Sequence, residues 1–159
     1  LDGLAREPRR LRCILDLGCG SGVLAIAAAR VAPAAQLIAA DNDPVAVAIA
    51  QDNARLNRVG GRVRVLEAAG FNHAALRAAP AFDLVLANIL PGPLITLAPA
   101  IRKALRRGGF AVLSGLLDHQ AREVAAGYRS AGFQLRRRLQ RDGWTALVMA
   151  RSQSPAVLM

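Results

Sequence analysis

The sequence predicts an α/β fold: a doubly wound, seven-stranded, mostly parallel sheet closed by a C-terminal antiparallel hairpin. Three observations predict it. An apolar run, Leu11 to Leu17, breaks into a glycine turn at Gly18, Gly20 and Gly22 and then an alanine-rich helical stretch. Strand-like and helix-like segments then alternate along the chain, which implies parallel strands joined by crossover helices. The last two strand patterns lack a helix between them, so one of those strands must run antiparallel.

The elements follow in order. Leu11 to Leu17 is a first strand and Gly22 to Val31 a first helix, ended near Pro33. Gln36 to Ala40 is a second strand finishing at Asp41. Asp43-Pro44 starts a helix, with Asp as N-cap and Pro at the first helical position. That helix runs to about Arg58 and stops at Gly60-Gly61. Val63 to Leu66 is a short strand, Ala74 to Ala78 a weak helix, and Phe82 to Ala87 a fully apolar strand. Pro91-Gly92-Pro93 breaks the chain before a helix to Arg107, and Gly108-Gly109 turns it into a strand from Phe110 to Ser114. Asp118 to Ser130 is a helix with small and apolar positions at Ala121, Val124, Ala125 and Tyr128. Phe133 to Leu139 and Trp144 to Ala150 form a hairpin around Arg141-Asp142-Gly143, where Asp-Gly is the turn signal. Trp144 is expected in the core. A single domain over residues 1–151 is expected, with 152–159 a frayed tail.

Bulk properties narrow the class. A chain of 159 residues with 53% hydrophobic and 20% charged residues suits a compact globular domain. No apolar run reaches the roughly 18 to 20 residues needed to span a bilayer. Cys13 and Cys19 match neither a disulfide framework nor a zinc spacing; both are read as reduced thiols in a cytoplasmic protein. No metal site is expected. The net charge of +10 comes almost wholly from arginine, Lys103 being the single lysine. Such charge favours anionic partners, or reflects arginines on solvated faces. With aromatic residues at 4%, a base-stacking platform is not expected.

In a doubly wound sheet, ligands bind beyond the carboxyl ends of the strands. The Gly18 loop, Asp41, Glu67, Asn88 and Ser114 are all expected at such ends. The loop's glycines let a ligand approach the backbone, and the helix behind it presents free N–H groups. A nucleotide-like cofactor is therefore expected. A dinucleotide fingerprint needs G-x-G-x-x-G/A; here the sixth position is Val23, and the glycines fall at i, i+2 and i+4. Asp16 points a carboxylate towards the loop. A pyrophosphate about 4 Å away would be repelled by roughly 4 kcal/mol at an effective dielectric near 20. A ligand carrying an ammonium and a sulfonium would be attracted instead, and S-adenosylmethionine is that ligand. Asp41, placed 23 residues after Gly18, can accept hydrogen bonds from both ribose hydroxyls. Asp43 is read as a helix cap over a ligand contact. Ala68-Ala69-Gly70-Phe71 is either an adenine wall or an ordinary strand-to-helix turn. His73 and His119 are read as surface or capping residues. Arg136 to Arg138 either protect an edge strand or touch RNA.

Asp16-Leu17-Gly18-Cys19-Gly20-Ser21-Gly22 resembles the cofactor loop of Rossmann-like class I S-adenosylmethionine-dependent methyltransferases, and Asp41-Asn42-Asp43-Pro44 fits their second-strand acidic motif. Ala87-Asn88-Ile89-Leu90-Pro91-Gly92-Pro93-Leu94, then Leu97-Ala98-Pro99, Leu113-Ser114-Gly115-Leu116-Leu117 and Gln120-Ala121, more narrowly resemble the PrmA family, bacterial methyltransferases of large-subunit ribosomal protein eleven. The resemblance implies cofactor contacts at Gly18, Asp41 and Asn88, and methyl transfer to lysine side chains and an N-terminal amine of that ribosomal protein. It also implies a separate N-terminal domain that grips the ribosomal protein, and a Gly-Thr-Gly-rich, His-containing segment that touches the cofactor. This chain begins Leu1-Asp2-Gly3-Leu4 with neither, so it is expected to be a truncated catalytic domain, a fragment or a stand-alone relative. Asn88 is the candidate for placing the amine: its amide oxygen accepts an N–H without a formal charge, in an apolar setting of Ile89, Leu90 and Pro91. The cofactor set is then Asp16, Gly18, Gly20, Gly22, Asp41 and Asn88. Two alternatives stay open: a small-molecule or nucleic-acid methyltransferase, and a cofactor-binding fragment without activity. Adenine-directed relatives carry Asn-Pro-Pro-aromatic where this chain has Asn88-Ile89-Leu90-Pro91, which argues against them.

Overall fold

The computed structural model describes residues 11–152. The chain start and all but the first residue of the expected tail lie outside them. The elements are β1 (Cys13–Leu17), α1 (Val23–Val31), β2 (Gln36–Asp41), α2 (Pro44–Leu56), β3 (Val63–Glu67), α3 (Ala74–Ala78), β4 (Phe82–Asn88), α4 (Pro91–Ala104), β5 (Leu105–Leu117), α5 (Ala121–Ser130), β6 (Phe133–Arg141) and β7 (Trp144–Arg151). They form a seven-stranded, mostly parallel sheet, as expected. The chain divides at Pro80/Ala81 into two compact units.

The first unit contributes the strand order β3-β2-β1, all parallel. Every residue of β1 is buried, the signature of a parallel strand covered on both faces. α1 starts behind Gly22 and buries Ala25, Ile26, Ala28 and Ala29. Small residues there let the helix lie close to the strands. α2 begins as its sequence dictates: the Asp43 side chain accepts from the Val45 N–H at 2.8 Å and Pro44 opens the first turn. His73 caps α3 through Nδ1, which accepts from the Ala75 N–H at 3.0 Å.

The second unit contributes β4-β5-β7-β6. β5 is parallel to β4, and β7 runs antiparallel to both β5 and β6. α5 buries the four positions its periodicity marks, Ala121, Val124, Ala125 and Tyr128. The turn between β6 and β7 has positive φ at both central residues, Asp142 at 50° and Gly143 at 81°, as a two-residue hairpin turn requires. Asp118 ties this turn down: its N–H donates to the Gly143 carbonyl and its carboxylate accepts from the Thr145 hydroxyl.

Several expectations are corrected. Pro91 does not break the chain but occupies the first turn of α4, with Leu90 as N-cap, because a missing N–H costs nothing there. α4 stops at Ala104, not Arg107. Leu105 is fully buried and pairs with Phe82, and the next paired residues are Leu84 and Phe110. The residues between bulge out, and Arg106 ion-pairs with the buried Asp83. Burial and that pair outweigh a neutral helix preference. β5 runs on to Leu117, so Ser114 lies inside it. Trp144 is not core: it is 55% exposed at the hairpin end, where it pairs in register with Arg141 and Leu117 at the rim of the sheet. Smaller differences are fraying at element ends: the first strand starts at Cys13, α2 ends at Leu56, and α5 starts at Ala121.

Candidate active site

In the first unit the glycine loop is held from behind by backbone. Gly18 and Cys19 N–H both donate to the Ala40 carbonyl, at 2.8 and 3.0 Å, and Gly22 N–H donates to the Cys19 carbonyl at 2.8 Å. Gly18, Gly20 and Gly22 have φ of 70°, 52° and 79°, a region that disfavours any side chain. Gly22 has a second reason to be glycine. A Cβ there would lie 3.2 Å from the Ala50 Cβ of α2. At Gly20 the Cβ direction is open, with nothing within 4 Å.

Asp41 gathers three segments. Its Oδ2 accepts from Gly20 N–H at 2.8 Å, its Oδ1 from Asp43 N–H at 3.1 Å, and its carbonyl from Ala68 N–H at 2.7 Å. The acid at the end of β2 therefore pins the glycine loop, the start of α2 and the turn after β3 together. Of that turn, Ala68 is buried and Phe71 half-buried. Asn53 adds a further tie from α2, donating to the Ser21 carbonyl at 2.9 Å.

Asp16 lies behind the loop, 1% exposed. Its Oδ2 accepts from Ala25 N–H at 2.8 Å, while its Oδ1 is buried with no hydrogen-bond partner. Burial pushes its pKa up to about 6, with the Asp41 carboxylate adding to the rise and the Ala25 bond opposing it. The Cys19 thiol is pushed up to about 12 by burial and by the same two carboxylates. The helix N-terminus is thus less open than expected. The N–H groups of Gly18, Cys19, Gly20, Gly22 and Ala25 all have acceptors within the protein.

A concavity of the first unit, about 750 Å³, lies at the other end of the strands, around Cys13, Gln36, Leu37, Arg62, Val63 and Pro80. Its lining carries no acid, hydroxyl or imidazole for chemistry.

In the second unit Asn88 ends β4, exposed, and pairs in register with Ser114. Its side chain lies over Gly115, the next residue of β5. A Cβ at Gly115 would meet Asn88 Oδ1 in a hard overlap and stand 3.4 Å from Asn88 Cγ. The apolar setting expected around Asn88 is open: Ile89 is half-buried and Leu90 is 73% exposed. Glu67 is exposed at the end of β3, and His119 is exposed beside α5. Arg136 to Arg138 are exposed on β6, at one end of the strand order.

Three supports escape sequence reasoning: the Ala40 carbonyl, Asn53 and Gly115. A backbone carbonyl leaves no trace in residue identity. Gly115 does leave one, since a glycine inside a strand pattern marks a close approach.

Comparison with known proteins places the chain. The family model described as "Ribosomal protein L11 methyltransferase (PrmA)" matches residues 1–152. Relatives named ribosomal protein L11 methyltransferase include one from Chelativorans sp. (strain BNC1), 49% identical over 140 residues, covering 88% of this chain and 48% of the relative. Another, from Brucella suis (strain ATCC 23445 / NCTC 10510), is 47% identical over 133 residues, covering 84% of this chain and 46% of the relative. The chain spans about half the length of these relatives. Among solved structures, a ribosomal protein L11 methylase from Lactobacillus delbrueckii subsp. bulgaricus superposes with a TM-score of 0.81 at 26% identity, covering 94% of this chain and 76% of that one. A precorrin-6y C5,15-methyltransferase from Geobacter metallireducens GS-15, with a TM-score of 0.75 at 18% identity, covers 94% of this chain and 84% of that one and shares the fold. By sequence across nearly its whole length, the chain belongs to the ribosomal protein L11 methyltransferase (PrmA) family.

Proposed function

We propose that this chain binds S-adenosylmethionine at its glycine loop and directs methyl transfer to amino groups of ribosomal protein L11. Residues 1–151 would act as one methyltransferase domain. The observation that carries the cofactor is the pair of carboxylates, Asp16 and Asp41, around an open glycine turn whose N–H groups are already bonded. A pyrophosphate would meet two like charges and few free donors. A cationic ligand would meet favourable charge. The open space at Gly20 fits such a ligand. The names of the relatives support the acceptor.

Asp41 would hold the ribose hydroxyls with the lone pairs its two backbone donors leave free, and Gly18, Gly20 and Gly22 would admit the ligand close to the backbone. Asp16 would act through its charge, from behind the loop. When bound, the cofactor supplies a methyl carbon already activated by its sulfonium. The chain's remaining work is alignment of a neutral amine. Asn88 Oδ1 would accept an amine N–H and point the lone pair, held in one orientation by the Gly115 backbone beneath it. Lysine as the acceptor, and cytoplasm as the compartment, belong to the same reading. No helix among the described residues is long and apolar enough to cross a membrane. The exposed arginines of β6 are read first as charge protection of an edge strand, and contact with ribosomal RNA is the second reading.

Calorimetry with S-adenosylmethionine and with NAD tests the cofactor; tight NAD binding alone would sink it. Transfer of labelled methyl groups to purified L11, with and without a supplied N-terminal domain, tests the acceptor. Cofactor binding without transfer in either arm would leave the superfamily and remove the substrate.

A further inference from the structure

The second unit carries a cluster of cations away from Asn88, at the end where β5 and β6 begin and β7 finishes. Arg102 comes from the last turn of α4 and Arg151 is the last residue of β7. Both flank one turn. Arg151 pairs in register with Phe133, and Gly132 just before it gives up its side-chain space to Arg102. A Cβ at Gly132 would lie 2.7 Å from Arg102 Nε. The Ser152 N–H donates to the Gly132 carbonyl at 3.2 Å, closing the turn.

These guanidiniums are incompletely satisfied. Arg151 donates through Nη1 to the Leu105 carbonyl. Its Nε, like that of Arg102, is buried with no hydrogen-bond partner. The unit's described carboxylates are committed or elsewhere. Asp83 is held by Arg106 and Asp118 by Thr145. Glu123 lies in the first turn of α5, at the far end of that helix, and Asp142 sits in the hairpin turn. Burial, with repulsion from Arg102 and Arg107, lowers the pKa of Arg151. The partial negative charge at the C-termini of α4 and α5 explains why cations collect here. It supplies no acceptor to either Nε. Two buried guanidinium N–H donors without acceptors, in a group of like charges, carry an unmet cost that an anion would offset. Guanidinium forks match the oxygens of a tetrahedral oxyanion in spacing and plane.

We propose that Arg102 and Arg151 form a binding site for a phosphate-type oxyanion, separate from the methyl-transfer site. β4 runs from this end to Asn88 over seven residues, about 20 Å, so the anion stabilises or anchors the unit and does not take part in placing the amine.

The test is thermal unfolding of the full chain in sodium phosphate against sodium chloride at matched ionic strength. Wild type is expected to show a saturable rise in Tm, roughly 3–6 °C once phosphate is about tenfold above its Kd. Arg102→Gln and Arg151→Gln keep most of each stem's packing and are expected to lose that rise. Equal effects of phosphate and chloride, or an undiminished rise in both variants, would overturn the proposal. Should a variant fail to fold, calorimetric titration of wild type with inorganic phosphate decides, and no saturable heat or line-broadening of the ³¹P resonance refutes it. A short single-stranded RNA that displaces bound phosphate would identify a nucleic-acid backbone as the source of the oxyanion. Saturable phosphate binding that RNA leaves unchanged would identify the free ion.

Discussion

The Asn88 side chain occupies the space that a Cβ at Gly115 would fill. Residue 115 also has φ of +76°. Gly115→Ala therefore carries two costs: a left-handed backbone penalty of about 1–2 kcal/mol and eviction of Asn88 from its rotamer. The two separate in a double-mutant cycle by denaturant unfolding. In an Asn88→Ala background, Gly115→Ala is expected to cost only the backbone term. Equal costs in both backgrounds would show that the side chain does not rest there. If Asn88 places the amine, Gly115→Ala also lowers kcat for methyl transfer while cofactor affinity stays close to wild type.

Asp41 holds Gly20 and Asp43 by their N–H groups. Asp41→Ala orphans both, and loss of two charge-assisted hydrogen bonds in a half-buried site is expected to cost about 2–4 kcal/mol. Hydrogen exchange should quicken at Gly20 and Asp43 before it does in β1. S-adenosylmethionine affinity measured by calorimetry should fall at least tenfold, and a variant binding it normally would refute the ribose role.

Asp16 gives a pH signature of unusual sign. Its folded pKa, about 6, stands above its ordinary value of 3.8, so the native state holds the proton more tightly than the unfolded chain. Stability from this group is full below the unfolded value and is lost as pH rises to about 6. The loss is on the order of 3 kcal/mol. Asp16→Asn cannot ionise. Its stability relative to wild type should improve by that order between pH 4 and pH 8. A difference that is flat with pH would contradict the buried carboxylate.

Cys19 sits in the glycine loop, yet burial and two carboxylates push its pKa from 9.0 to about 12. The thiolate is the reactive form, so alkylation by iodoacetamide at pH 8 should run about a thousandfold slower in the native protein than after unfolding. Rapid native labelling confined to Cys19 would show that the loop opens.

How much was legible varied with range. The Asp43-Pro44 start of α2, the Asp142-Gly143 turn and the buried face of α5 were readable because each is set by residues within a few positions. Misreadings came where distant groups compete. Leu105 to Arg107 left the helix because Phe82 and Asp83 offered pairing and charge. Trp144 stayed exposed because the strand register puts it at the sheet's rim. Ser114 lies inside its strand and not at the end because β5 continues past it.

By itself the sequence determined the alternation of strands and helices, the glycine turn with an acid before it and another 23 residues on, and Asn88 at the end of an apolar strand. Those depend on local dihedral preference and hydrophobic period. Only the tertiary structure decided that Asp41 bonds the Gly20 backbone, that Asp16 is buried behind the loop with one oxygen unpartnered, and that Gly115 makes room for Asn88. Each relation joins groups far apart in sequence, and burial and backbone hydrogen bonding are properties of the packed chain.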